Sequence, residues 1–334
     1  MTPNWFAAVM GTGIISVVAA ALPGDVTGAR AISIAFAVLS ALLLIALTTA
    51  LTITWIRDRE RAVADARSPQ MFPFYGAVSM ALLTVGAAVH HLAPTSVTVV
   101  LWSVGTALGL VTYVVMMVRL RGGYPTEPTL AWLLPIVPPM VSATGAAALI
   151  EHLPAGATRV AVLAAGYGFF VLALMGAFPP MVLVARHFLR TGLPEVAATP
   201  TLWIPLGVVG QSVAAANLLG GASGSAVLRG FGVAYGCTVG AVGTVALVAT
   251  VAVTVRAFAD GLVFNPGWWS FTFPLGACAL GANSLGVSTD ATALRYVALG
   301  ILCALIVIWS AVARGSLCVL LATRARRSRL SAKP

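Results

Sequence analysis

The chain has 334 residues, of which 60% are hydrophobic and only 8% charged, with a mean hydropathy of +0.99 and a formal net charge of +10. A surface that apolar excludes a water-soluble domain of this size, so the sequence is that of an integral membrane protein. The positive balance does not indicate nucleic acid, because the arginines stand beside apolar runs, where membrane topology puts them.

Ten apolar stretches bounded by Pro, Gly or charge are long enough to cross a bilayer as helices, which takes about 17–25 residues. They run over 5–22, 31–56, 72–92, 96–118, 130–150, 158–187, 201–220, 226–255, 268–288 and 293–314. The opening MTPNWFAAVMGTGIISVVAAALPG lacks the basic segment of a secretion signal and reads as the first span. No run of short alternating segments suggests a barrel. The fold class expected is therefore all-α, with one transmembrane domain over 1–322 and a basic cytoplasmic tail over 323–334.

Basic loops stay on the cytoplasmic side, and here they alternate. Fifteen of the nineteen Lys and Arg fall after the even spans or in the tail, among them Arg57, Arg59, Arg61, Arg67, Arg119 and Lys333, against Arg30, Arg159, Arg229 and Arg295 on the other side. Both termini are thus expected in the cytoplasm, which an even number of spans permits. The nine acidic residues, Asp25 included, all lie in polar breaks, so the hydrocarbon core is expected to hold no carboxylate. The four cysteines form no Cys-x-x-Cys pair and read as small core residues, with neither disulfides nor a metal site.

The odd spans share a pattern. They open with NWFAAVMGTG, MFPFYGAVSM, AWLLPIVPPM, LWIPLGVVGQ and WWSFTFPLGA, each an aromatic followed within a few residues by Pro or Gly. Trp5, Phe72, Trp132, Trp203 and Trp269 are 67, 60, 71 and 66 residues apart, about one helical hairpin each. Even spans such as ISIAFAVLSALLLIALTTALTITW read as plain and free of internal Pro and Gly. Irregular backbone survives at membrane depth only where it is buried or lines water, so the odd helices are expected inside, around one axis, and the even ones against lipid.

Chemistry is sparsely represented. No His-Glu-x-x-His, phosphate-binding loop or nucleophile elbow is present, and the His90–His91 pair reads as an interfacial surface feature. An enzyme is therefore not expected, nor a cofactor. Cation pumps and proton-coupled carriers keep an acidic residue in the membrane, whereas a lining of Gly, Ser, Thr and aromatic edges with exposed helix N-termini favours anions. In WWSFTFPLG, Pro274 is expected to kink the helix near Ser270. Phe271 and Phe273 point about 200° apart on a helix, so either one faces the lumen while the other packs outward, or both pack. Phe273, directly before the proline, is the choice for a plug.

FAAVMGTGI, PTLWIPLGVVGQS and NPGWWSFTFPLG, in that order on odd helices over ten spans, resemble the tellurite-resistance/dicarboxylate transporter family, which includes malate permeases, sulfite exporters and slow-type anion channels. The resemblance covers nearly the whole chain. It implies five helical hairpins in a quasi-five-fold ring, odd helices lining a central pore, a homotrimer in the cell inner membrane, and a pore gate at Phe273. Pore-lining positions on this reading are Phe6, Gly11, Gly13, Phe74, Gly76, Pro139, Gly207, Phe271, Pro274 and Gly276. The partners implied are small inorganic or organic anions and membrane lipid, with no nucleic acid. A proton-coupled C4-dicarboxylate or sulfite carrier of the same fold is the alternative to a channel or exporter.

Overall fold

A computed structural model describes residues 1–23 and 26–331, with side chains through residue 322. Asp25, Lys333 and the tail's arginine side chains lie outside that description. Eleven α-helices account for the architecture among the described residues: α1 (Phe6–Ala21), α2 (Ala29–Arg57), α3 (Arg59–Arg67), α4 (Tyr75–Ala88), α5 (Thr95–Arg121), α6 (Pro138–Ile150), α7 (Ala157–Thr191), α8 (Ile204–Ala222), α9 (Ala226–Ala259), α10 (Thr272–Ser288) and α11 (Thr292–Ser331). Nine of the ten expected stretches coincide with helical segments within a few residues at both ends. The last, α11, runs on through Ser331 where 314 was expected, and α3 was not anticipated.

Two kinds of helix alternate. The helices α1, α4, α6, α8 and α10 have 13 to 19 residues, or about 20–28 Å. Each follows a short 3-10 segment, at Pro3–Trp5, Phe72–Phe74, Leu130–Leu133, Val196–Trp203 and Pro266–Phe271. The helices α2, α5, α7, α9 and α11 are 27 residues or longer. In the span windows that include α1, α6 and α8, between 67% and 83% of residues are buried, against 11% to 33% in those of α2, α5, α7, α9 and α11. The short helices are therefore the inner layer and the long ones the outer.

Among the described residues, eight helical segments are long and apolar enough to cross a membrane, α10 not being one of them, and α4 counts as a ninth only together with α3, from which it is bent by 99°. The inner helices can be shorter and more polar because protein, and not lipid, surrounds most of their surface.

The contacts repeat with the sequence. Each outer helix packs on the inner helix before it, α2 on α1, α5 on α4, and so on to α11 on α10, and then leans on the next inner helix. The inner helices touch in the order α1, α4, α6, α8, α10 and back to α1, so the series closes on itself. Small residues permit that closure. A Cβ on Gly210 would lie 2.5 Å from the Ala277 carbonyl carbon, and one on Gly76 would lie 2.5 Å from the backbone of Leu134 and Pro135, so these backbones meet with no room for a methyl. Tryptophan indoles tie the layers together: Trp203 donates to Thr254 Oγ1, Trp269 to Ser316 Oγ and Trp309 to Thr12 Oγ1, at 2.9 to 3.0 Å.

Three expectations are corrected. The outer helices are not plain, since α7 carries Pro179 and Pro180 in its interior and α9 carries glycines that include Gly232 and Gly236. Cys237, Cys303 and Cys318 are exposed on outer helices, leaving Cys278 as the one packed inside. Pro274 does not kink a continuous helix. It is the third residue of α10, where its missing N–H leaves no helical bond broken. Pro73, Pro138 and Pro205 occupy the same kind of place at the starts of their own segments.

Candidate functional site

The faces that the inner helices turn towards one another carry two cavities. The smaller, about 30 Å³, is lined from the starts of all five: Ala7 and Met10, Phe74 and Met80, Leu134 and Val137, Ile204 and Gly207, and Phe273 and Pro274. The larger, about 280 Å³, is lined one or more turns further along the same helices, by residues such as Ile14 and Val17, Thr84 and Ala87, Val141 and Thr144, Gln211 and Leu218, and Leu280. Along α1 the series 7, 10, 14, 17 and 21 keeps helical spacing from one cavity into the other, and along α8 the series 204, 207, 211 and 218 does the same. One stripe of α1 and one stripe of α8 thus border both cavities.

Phe273 is the single residue, among the described ones, that lines both cavities. Its side chain is 2% exposed. The local sequence explains its position. The 3-10 segment Pro266–Phe271 passes into α10 at Thr272, whose hydroxyl donates to the Trp269 carbonyl at 2.8 Å, and Pro274 fixes the backbone of the first turn. Phe271 then falls on the opposite side, with its ring 5.5 Å from that of Trp203 and 5.8 Å from that of Trp268.

The other expected lining residues divide. Phe74, Gly207 and Pro274 join Phe273 around the small cavity. Phe6, Gly11, Gly13, Gly76, Pro139, Phe271 and Gly276 line neither cavity. A Cβ on Gly11 would strike Thr272, one on Gly276 would lie 2.5 Å from Ile14, and one on Gly13 would lie 3.0 Å from Thr84, so these glycines serve helix contact. Phe6 and Pro139 are fully packed.

The wider cavity has an uncharged inner wall. Gln211, 2% exposed on α8, donates from Nε2 to Thr144 Oγ1 at 2.8 Å, and its Oε1 is buried with no hydrogen-bond partner. Thr98 Oγ1 on the same wall is likewise unpartnered. Trp102 donates to the Ser142 carbonyl at 3.0 Å. Neither cavity is lined by Lys or Arg among the described residues. Near the start of α4, Arg119 lies over the Phe72 ring at 3.9 Å and donates to the Ala66 carbonyl, while Tyr124 donates to the Pro69 carbonyl. Burial raises the Tyr124 phenol above its ordinary value, and Arg119 pulls it back.

Gln211, Thr144 and Trp102 were not singled out from sequence. The available signal was the cost of an amide inside an apolar run, which is seldom borne without a use. The His90–His91 pair is not a plain surface feature either: His90 is half-buried, and both rings line the wide cavity.

A family profile described as voltage-dependent anion channel matches residues 1–317. An uncharacterized transporter of Methanocaldococcus jannaschii is 24% identical over 329 residues, covering 92% of this chain and 90% of that protein. Sulfite efflux pumps of Trichophyton rubrum and Arthroderma otae are 24% and 23% identical, each covering 85% of this chain and 81% of the relative. These similarities run the length of an all-helical, multi-span chain, which is accordingly a membrane protein of anion transport and not an enzyme. The chain belongs to the voltage-dependent anion channel (SLAC1) family.

Proposed function

We propose that this protein is an anion channel or exporter whose ten spans form five hairpins around a central pore, stopped by the ring of Phe273. The observation that carries the reading is that two cavities, each lined from all five inner helices or the turns that lead into them, share one residue, Phe273. The absence of Lys and Arg from both linings, among the described residues, fits small anions that pass without tight binding. Alternating arginine-rich loops support cytoplasmic termini in the cell inner membrane, and the apolar outer faces suit lipid and a homotrimer.

The test is Phe273→Ala in proteoliposomes. Removing the ring should raise chloride or nitrate flux at least about tenfold, equivalent to about 1.4 kcal/mol of barrier. A variant that elutes and melts as a folded protein yet stays at background for chloride, nitrate, sulfite and malate would overturn the assignment. A sulfite carrier of the same fold is the second reading. It is favoured by the fungal sulfite efflux pumps among the relatives and by the hydrogen-bonding wall of Gln211 and Thr144. Saturable sulfite flux with little chloride flux would select it.

A further inference from the structure

Four titratable side chains crowd one end of the larger cavity, and the transport reading uses none of them. The His90 ring centroid is 5.0 Å from that of His91 and 4.6 Å from that of His152, edge to face in both cases. His90, His91 and Glu151 line the cavity itself. His91, His152 and Glu151 are exposed, while His90 is half-buried with its Nδ1 lacking any hydrogen-bond partner. Burial first, then the His152 and His91 rings, hold the His90 imidazole below its ordinary value, and Glu151 acts the other way. Arg30 and His91 both line a further cavity beside α1. No group of three His, Cys, Asp or Glu among the described residues is disposed to hold a metal ion.

We propose that His90, His91 and His152 form a capture site for small inorganic anions at the mouth of the cavity, filled when the imidazoles are protonated. The site rests on the transport reading only for its destination, the route past Phe273. With neutral imidazoles, Glu151 is the one charged side chain on the cavity wall among the described residues, and a carboxylate there repels anions. Protonation turns both nitrogens of a ring into donors and reverses the sign of the rim. The crowding that disfavours charge on His90 is relieved by an anion among the rings. Anion binding and protonation therefore strengthen each other by the same factor.

The chain has four histidines, so ring labelling resolves every one, and His187, which lies near Glu127 away from this cavity, is an internal control. In the purified protein, nitrate in place of gluconate at equal ionic strength should raise the titration midpoint of His90 and its neighbours by about half a pH unit, a threefold linkage. His187 should stay where it was. Equal behaviour of all four would overturn the site. In Phe273→Ala liposomes at symmetric pH, so that no proton gradient acts, nitrate flux should rise about fivefold between about pH 7.5 and pH 5.5. The exposed pair His91→Gln/His152→Gln should flatten that rise. Shifted midpoints with no flux would uphold the capture site and sink the transport reading; flux without pH dependence and without shifts would do the reverse.

Discussion

Replacing Gln211 with Leu should separate stability from transport. The amide makes one hydrogen bond, to Thr144 Oγ1, and Thr144 keeps its own donation to the Val141 carbonyl at 2.9 Å when that partner is lost. Losing a neutral bond costs about 1 kcal/mol, while removing a buried acceptor that has no partner returns about 1–3 kcal/mol. Leucine is of similar size, so the site is refilled and the balance is neutral to stabilising by about 2 kcal/mol. Transport should move the other way. Gln211 lines the wide cavity along with Phe273, so on the proposed route its amide is the donor group nearest to hand for an anion. In a Phe273→Ala background, Gln211→Leu should lower nitrate or sulfite flux about five- to tenfold, the equivalent of one neutral hydrogen bond. Thermal unfolding in detergent and liposome flux measure the two halves. A leucine variant that melts earlier than its parent and passes anions equally fast would refute both the accounting and the role of the amide.

Gly210→Val should abolish folded protein, because its Cβ would sit 2.5 Å from the Ala277 carbonyl carbon, forcing α8 from α10 by about 1 Å. Gly240→Val on α9, where nothing lies within 4 Å, should express normally, and size-exclusion yield compares the two. Because His90 titrates below its unfolded value, the folded state binds fewer protons, so its contribution to stability is complete above about pH 6.5 and is lost as pH falls. The melting temperature in anion-free buffer should therefore drop on acidification, and His90→Asn should shrink the drop.

Much of the layering was legible in the sequence. The openings of an aromatic followed by Pro or Gly recur once per hairpin and mark the inner helices, from Trp5 to Trp269. What they signify locally was read wrongly. A proline inside a long apolar run looks like a kink, yet each of these stands where a 3-10 turn hands over to an α-helix, and only the backbone distinguishes an interruption from a beginning. Glycine was ambiguous in the same way: Gly207 borders the small cavity, whereas Gly11 and Gly276 serve helix contact, and nothing in their spacing tells these apart. The short α3 escaped because nine residues with five charges carry no membrane signal. The histidine cluster was illegible because His152 comes from a loop far along the chain from His90.

The correction to Pro274 strengthens the electrostatic case for anions. Had the inner helices been continuous and merely bent, their positive ends would lie at the membrane surface, screened by water. Instead, helix starts from five elements border the small cavity, with Ala7, Phe74, Val137, Ile204 and Phe273 all in or beside first turns. Each start carries up to about half a positive charge. That field comes from backbone and does not titrate, whereas the histidine rim at the other end does. On the proposed reading, selection for anions and their capture fall to different groups. A variant lacking the rim histidines should lose pH dependence while its preference for anions over cations persists, and loss of that preference would show that side chains, not helix starts, set the sign.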